Sequence, residues 1–330
     1  MNAMPGPAGE AGEQAAAPLL RAQHLSKQFA GSGAVVRAVE DLSFELAKGE
    51  VLGLVGESGS GKSTLGRLLL RLIEPTQGRV EIDGVDISAL KPTPLRQFRR
   101  HMQMVFQDPY GSLNPRMKVG DALSEVLLLH GMSSRAAVRD HAVRLLGQVG
   151  LSADFLDRYP RAFSGGQRQR IAIARALAPQ PRLLVADEPV SALDVSVQAE
   201  VVNLLKDLQQ SLGLSMVFIS HDLSVVETIA DRVMVLYLGR PMELASTASL
   251  YDRPAHPYTA ALLAAVPGAG RDKRRIMLKG EVPSAAAPPS GCVLRTRCPF
   301  AIDRCARELP ALRQVGPGHY KACLRDDLEL

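Results

Sequence analysis

Tryptophan is absent from the 330 residues, and aromatic residues make up only 4%. So few rings argue against a surface that stacks nucleic-acid bases. Cysteine is missing until Cys292, so all four thiols sit in the tail. Long apolar runs are missing too. The longest uncharged run, Pro254 to Gly270, is short and holds three prolines, which excludes a membrane-spanning helix there. Basic residues are missing before Arg21, and the opening MNAMPGPAGEAGEQAAAP has no apolar block. It reads as neither signal peptide nor anchor, so the chain is expected to stay in the cytoplasm. Its Ala, Gly, Pro and Glu content predicts a disordered leader over 1–17.

What is present fits a soluble globular protein: 46% hydrophobic and 22% charged residues. The length suits one large domain plus a smaller one. The net charge of +5 lies entirely in the tail, where twelve Lys/Arg face seven Asp/Glu from Arg271 onward. Such a tail suits a solvated surface, or contact with an anionic membrane or nucleic acid.

Alternating apolar residues predict strands over Leu19–Phe29 and Val35–Leu46. VLGLV (Val51–Val55) is a buried-strand run that enters a glycine-rich loop, with a helix predicted over Lys62–Leu72. Further strands are expected at Val80–Ile82, Met102–Phe106, Leu183–Ala186, Met216–Ser220 and Val233–Leu238. Helical periodicity runs from Val119 to Leu151 with a break at Gly131 and Ser133, and returns at Ile171–Leu177 and Val197–Leu212. Strands alternating with helices indicate an α/β fold with a mostly parallel sheet. After about Tyr251 the sheet pattern stops.

GESGSGKS, comprising Gly56, Glu57, Ser58, Gly59, Ser60, Gly61, Lys62 and Ser63, matches the phosphate-binding loop G-x-x-x-x-G-K-[ST]. Its glycines let backbone N–H groups wrap a phosphate chain, and the next helix, continuing with Thr64, aims its positive end there. Lys62 is expected to reach the β- and γ-phosphates, and Ser63 to offer its hydroxyl to Mg²⁺. LLVADE ends a strand in two acids. Asp187 suits Mg²⁺, and Glu188 suits a general base for the attacking water.

Three further pieces are FSGGQRQR (Phe163–Arg170), SALD (Ser191–Asp194) and SHD with His221. In this order and spacing they resemble the ATP-binding subunits of ABC transporters, over roughly Leu19 to Ala245. The resemblance implies an ABC-type P-loop ATPase: a RecA-like core sheet, an antiparallel β-subdomain, an α-helical subdomain at about 108–175 and a small cysteine-containing extension. The ATPase domain would cover 18–250 and the extension 251–330. Two chains would dimerise head to tail, with ATP between the phosphate loop of one and Ser164, Gly165, Gly166 and Gln167 of the other. Asp194 would lie near the same nucleotide. Gln107 would sense Mg²⁺ and the attacking water, His221 would contact the γ-phosphate, and Phe29 would stack on adenine.

VFQDPYGSLNPRMKVG, DEPVSALDVSVQAEV, HPYTAALLAAVP and the tail from Gly280 to Cys305 resemble the oligopeptide, dipeptide and nickel importers, closest to the second ATPase subunit of peptide permeases. Implied partners are two membrane permease subunits, a paralogous ATPase or a second copy of this chain, and indirectly an extracytoplasmic solute-binding protein. Nucleic acid is not among them. Tyr110, Leu113 and Pro115 would line the groove that receives a membrane subunit. Alternatives are import of nickel or another small solute, or a non-transport ABC ATPase acting on nucleic acid or ribosome. Pro241, in LGRPME, cannot donate to a ladder, so its strand is expected to be an edge there.

Cys292, Cys298, Cys305 and Cys323 leave gaps of five, six and seventeen residues. Disulfides are not expected in a cytoplasmic chain. Four thiolates match one Zn²⁺ or one [4Fe–4S] iron–sulfur cluster, although no C-x₂-C knuckle is present. The resemblance favours the cluster; zinc and four free thiols remain the alternatives. Arg295, Arg297, Arg304 and Arg307 would offset the charge of a thiolate group.

Overall fold

The computed structural model describes residues 17–30, 34–108, 111, 113–266 and 276–330. The expected leader, Ala17 excepted, lies outside them, as does Tyr110.

Strands β1 (Leu20–Ala30) and β2 (Val35–Leu46) pair antiparallel. Next, β3 (Val51–Val55) enters the glycine loop and α1 (Lys62–Leu69) leaves it. β4 (Gln77–Ile82) and β5 (Val85–Asp86) complete a four-stranded antiparallel sheet of order β2-β1-β4-β5. After α2 (Pro92–Phe98) and β6 (Met102–Val105) come, among the described residues, the longer helices α3 (Val119–Leu129), α4 (Val138–Gln148) and α5 (Gly165–Leu177).

The chain then alternates through β7 (Leu183–Asp187), α6 (Val195–Leu212), β8 (Ser215–Ile219), α7 (Leu223–Ile229) and β9 (Arg232–Tyr237). β10 (Arg240–Ser246) folds back antiparallel on β9. Two helices, α8 (Thr247–Asp252) and α9 (Pro257–Ala264), precede the tail, which holds α10 (Arg304–Arg307), β11 (Arg313–Gly316) and β12 (His319–Lys321). The second sheet has the order β11-β12-β10-β9-β3-β8-β7-β6. Its β6, β7, β8, β3 and β9 run parallel, as the alternation of strands and helices predicts.

Strand side chains divide between two cores. On one face Leu52, Leu54, Val185, Val217 and Ile219 meet Leu65, Leu68 and Leu69 of α1 and the apolar side of the antiparallel sheet. On the other, Val51, Val55, Leu184, Ala186, Met216 and Phe218 meet Ile171 and Ile173 of α5 and Val201 and Leu205 of α6. Burial on both faces explains why these strands read as unbroken apolar runs.

Three expectations need correction or refinement. The first helix stops at Leu69, not Leu72. Arg71 turns left-handed (φ 46°), and the Leu72 N–H bonds back to the Arg67 carbonyl at 2.8 Å, which closes the helix end. The sheet does not stop near Tyr251, because the β11–β12 hairpin rejoins it through Glu243↔Lys321 and Leu244↔Tyr320. β10 is therefore flanked on both sides. Pro241 is accommodated because the β12 pairing covers only Glu243 and Leu244, and a register shift separates Pro241 from Glu243.

Candidate functional site

The site grows from the carboxyl ends of β3, β7 and β8. β3 is buried at every position and delivers the chain into Gly56, whose φ of 149° suits glycine. A Cβ on Gly56 would stand 2.2 Å from the Leu236 carbonyl, so the loop lies directly against β9. Lys62 opens α1 and is only 5% exposed. Its ammonium donates to the carbonyls of Gly56 (2.7 Å) and Glu57 (3.0 Å) and to Ser60 Oγ (3.4 Å). Burial lowers its pKa, while Glu188, Asp187 and Glu57 oppose the shift. Ser58, Gly59, Gly61 and Thr64 stand in the same loop and first turn.

Ser63 Oγ donates to Asp187 Oδ1 at 2.8 Å. Asp187 ends β7, is 2% exposed, and has its pKa raised by burial. A hydroxyl and a buried carboxylate are hard oxygen donors of the type Mg²⁺ takes. The next residue, Glu188, has φ 45°, an uncommon conformation for a side-chain-bearing residue. Gln107 Nε2 donates to its Oε2 at 2.9 Å. The same oxygen lies 3.4 Å from His221 Nδ1, beyond the end of β8. Thus the structure gathers the phosphate loop with Ser63, Gln107, Asp187, Glu188 and His221 from four separated stretches of sequence.

Ser164 to Gln167 are held differently. Ser164 caps α5: its Oγ accepts from the Gln167 N–H (3.3 Å), and its own N–H donates to Gln167 Oε1 (3.1 Å). A Cβ on Gly166 would come within 2.4 Å of Val197 Cγ1, so this glycine lets α5 approach α6 inside the chain. Asp194 precedes α6, next to Val195, which is 82% exposed. Phe29 is exposed on β1, with the Lys27 ammonium 5.0 Å from its ring centre.

Leu113 and Pro115 do share a cavity, of about 420 Å³, with Asn114, Met117 and Glu125.

The four cysteines are unpaired and line one small cavity, joined by His256 and Arg325. Its volume is about 10 Å³. Burial pushes the Cys292 thiol up to about 11 and raises Cys298 and Cys323 as well. The donor chemistry fits a thiolate-bound group. The spacing as it stands does not: among the described residues no group of three or more His, Cys, Asp or Glu stands where it could hold a metal. Of the expected arginines, Arg295 lines the cavity, whereas Arg304 pairs with Glu308 and Arg297 leaves the cavity for Glu57; Arg325 lines the cavity unforeseen.

Two residues at the phosphate loop escaped the sequence reading. Tyr258 of α9 accepts the Glu57 N–H at 2.9 Å, and Arg297 of the tail forks onto the Glu57 carboxylate at 2.6 and 3.0 Å. Both lie some two hundred residues or more from the loop they touch, and no local spacing signals them.

Comparison with known proteins gives the family. Residues 39–191 match the family model described as ABC transporter. Residues 242–305 match the one described as oligopeptide/dipeptide transporter, C-terminal region. A Brucella ovis protein provisionally named a peptide import ATP-binding protein is 57% identical over 313 residues, 94% of this chain and 99% of the relative. The oligopeptide transport ATP-binding protein AppF of Bacillus subtilis is 53% identical over 293 residues, 87% of this chain and 89% of its own length. Among solved structures, the dimeric ATP-binding cassette MJ0796 bound to ADP and Pi is 30% identical, with a TM-score of 0.64, covering 69% of this chain and 98% of that one. The chain therefore belongs to the ABC transporter family of ATP-binding proteins, and it is an ATPase coupled to transport. Within the family it is one of the members that carry the oligopeptide/dipeptide transporter tail.

Proposed function

We propose that this chain powers an importer of di- and oligopeptides by binding and hydrolysing ATP at the phosphate loop. The observation that carries the reading is Glu188, held between Gln107 and His221 beside the Ser63–Asp187 pair. Lys62 and the loop N–H groups bind the β- and γ-phosphates. Ser63, Asp187 and Gln107 would hold Mg²⁺, which neutralises phosphate charge during transfer. Glu188 takes the proton of the attacking water as general base, and Gln107 and His221 orient its carboxylate. Phe29 stacks on adenine. Ser164, Gly165, Gly166, Gln167 and Asp194 meet the nucleotide bound by a second ATPase subunit, either another copy or a paralogue.

The ATPase domain spans 18–250, with the helical subdomain at about 108–175 and the extension at 251–330. No helix among the described residues is long and apolar enough to cross a membrane. The chain works at the cytoplasmic face against two permease subunits, one of them docking at the cavity of Leu113 and Pro115. The peptide cargo is supported by the names of the relatives and by the matched tail. An extracytoplasmic binding protein would deliver it. In the tail, the four cysteines are the donor set for a structural thiolate-bound group, an iron–sulfur cluster first and zinc second, although their thiols as they stand are not spaced to hold a metal. Their convergence on one cavity supports this. No step of hydrolysis passes through it.

The test is Glu188→Gln. It should bind Mg-ATP like the parent, trap a closed dimer, and lose turnover by about 10²–10⁴-fold, the usual span of a lost general base. Lys62→Ala should instead weaken nucleotide binding. Parent-rate hydrolysis by Glu188→Gln would remove the base assignment.

A further inference from the structure

A nucleotide triphosphate is strongly anionic, yet its binding loop carries a carboxylate at Glu57. A like charge beside the phosphates opposes binding unless it is neutralised. The neutralising cation comes from the far end of the chain. Arg297 is 8% exposed and donates from Nη1 and Nη2 to the two Glu57 oxygens, the bidentate geometry of a strong guanidinium–carboxylate pair. Its Nη1 also lies 3.4 Å from Tyr237 Oη, and its guanidinium carbon sits 5.8 Å from the Tyr237 ring centre. Tyr237 of β9 packs on Tyr258 of α9 with ring centres 4.8 Å apart. Tyr258 closes the circuit by accepting the Glu57 N–H. The tail and α9 thus grip one residue of the phosphate loop, by its carboxylate and by its backbone, and Tyr237 of β9 braces both.

We propose that Arg297 is a positioning residue for nucleotide binding, through which the cysteine-bearing tail sets the affinity of the phosphate loop for ATP. The proposal rests on the reading of Gly56–Ser63 as that loop. Arg297 neutralises Glu57 and fixes its side chain away from free rotation, so the loop presents its N–H groups and Lys62 without a competing charge. The tail reaches the loop by a tight turn in which the N–H groups of Arg297 and Cys298 both bond to the Leu294 carbonyl, at 2.9 Å each. A change at the cysteine cavity therefore lies one residue from the group that sets the charge beside the phosphates.

The experiment uses the full chain and a fluorescent ATP analogue with Mg²⁺. Arg297→Met should weaken binding about tenfold, as expected for a charge uncovered near a polyanion, and the loss should shrink in high salt. Adding Glu57→Gln to Arg297→Met should restore affinity to within about threefold of the parent, because the repelling charge is gone. Arg297→Lys, which keeps the charge and loses the fork, should fall between parent and Arg297→Met, and it reads the same effect if Arg297→Met folds poorly. Binding by Arg297→Met within twofold of the parent would overturn the proposal. So would a double variant no better than Arg297→Met, or equal loss in Arg297→Lys and Arg297→Met, since either assigns the effect to packing alone. Lys62→Ala serves as the reference: parent affinity there would sink the phosphate-loop reading itself, whereas loss there with no effect at Arg297 would sink only the present inference.

Discussion

Replacing Glu243 by alanine should loosen the tail from the core sheet. Glu243 sits in β10 with no exposed surface. Its Oε1 accepts the Ala255 N–H at 2.7 Å and lies 2.7 Å from His319 Nε2, while Oε2 accepts the His256 N–H at 3.1 Å. One carboxylate therefore joins β10, the turn before α9 and the β11–β12 hairpin. Truncation orphans two backbone donors and one imidazole nitrogen in a buried place. Each orphan costs about 1–3 kcal/mol, offset in part by no longer burying a carboxylate. The net loss should be about 3–5 kcal/mol, in line with removing one partner of a buried pair. For a chain of this size that corresponds to a drop of roughly 5–10 °C in Tm. Glu243→Gln keeps an acceptor oxygen and should lose about half as much. Scanning calorimetry gives the Tm, and timed proteolysis shows whether cleavage concentrates beyond Tyr251. A Glu243→Ala protein melting within about 2 °C of the parent, with an equally resistant tail, would refute the reasoning.

Leu113→Asp places a charge at a buried position in the cavity of Asn114 and Pro115. It should abolish peptide uptake or assembly with the membrane subunits while leaving ATP binding by the isolated chain unchanged; normal uptake in cells would count against docking there. Anaerobic purification should yield brown protein absorbing near ~400 nm with about four irons per chain, and Cys298→Ser should bleach it. Colourless protein without iron but with one zinc per chain would favour the second group, and protein with neither metal would leave four free thiols.

Much of the site was legible because its pieces are short and locally coded. The run from Val51 into Gly56 and Lys62 joins a buried strand to a glycine turn, and that order alone predicts the loop. Asp187 and Glu188 were legible as acids at the end of an apolar run. What tied Glu188 to Gln107, eighty-one positions away, was family spacing rather than any local rule. The Arg297–Glu57 pair spans 240 positions and has no periodic signature, so only the folded chain reveals it. The β11–β12 hairpin was missed because its strands are four and three residues long and mostly exposed on β11, which leaves no apolar alternation to read. The end of α1 was overrun because apolar spacing continues through Leu72, while the stop is set by the backbone at Arg71.

The backbone of Glu188 carries a consequence for how this protein can change. A φ of 45° costs a side-chain-bearing residue about 1–3 kcal/mol relative to an ordinary conformation. Glycine, or asparagine to a lesser degree, would relieve that cost. Either would also remove the carboxylate proposed as general base. Heat resistance and turnover therefore pull in opposite directions at this one position. A lineage selected only for durability would be drawn to give up its catalyst here, and one selected for transport must recover the lost stability in other parts of the fold.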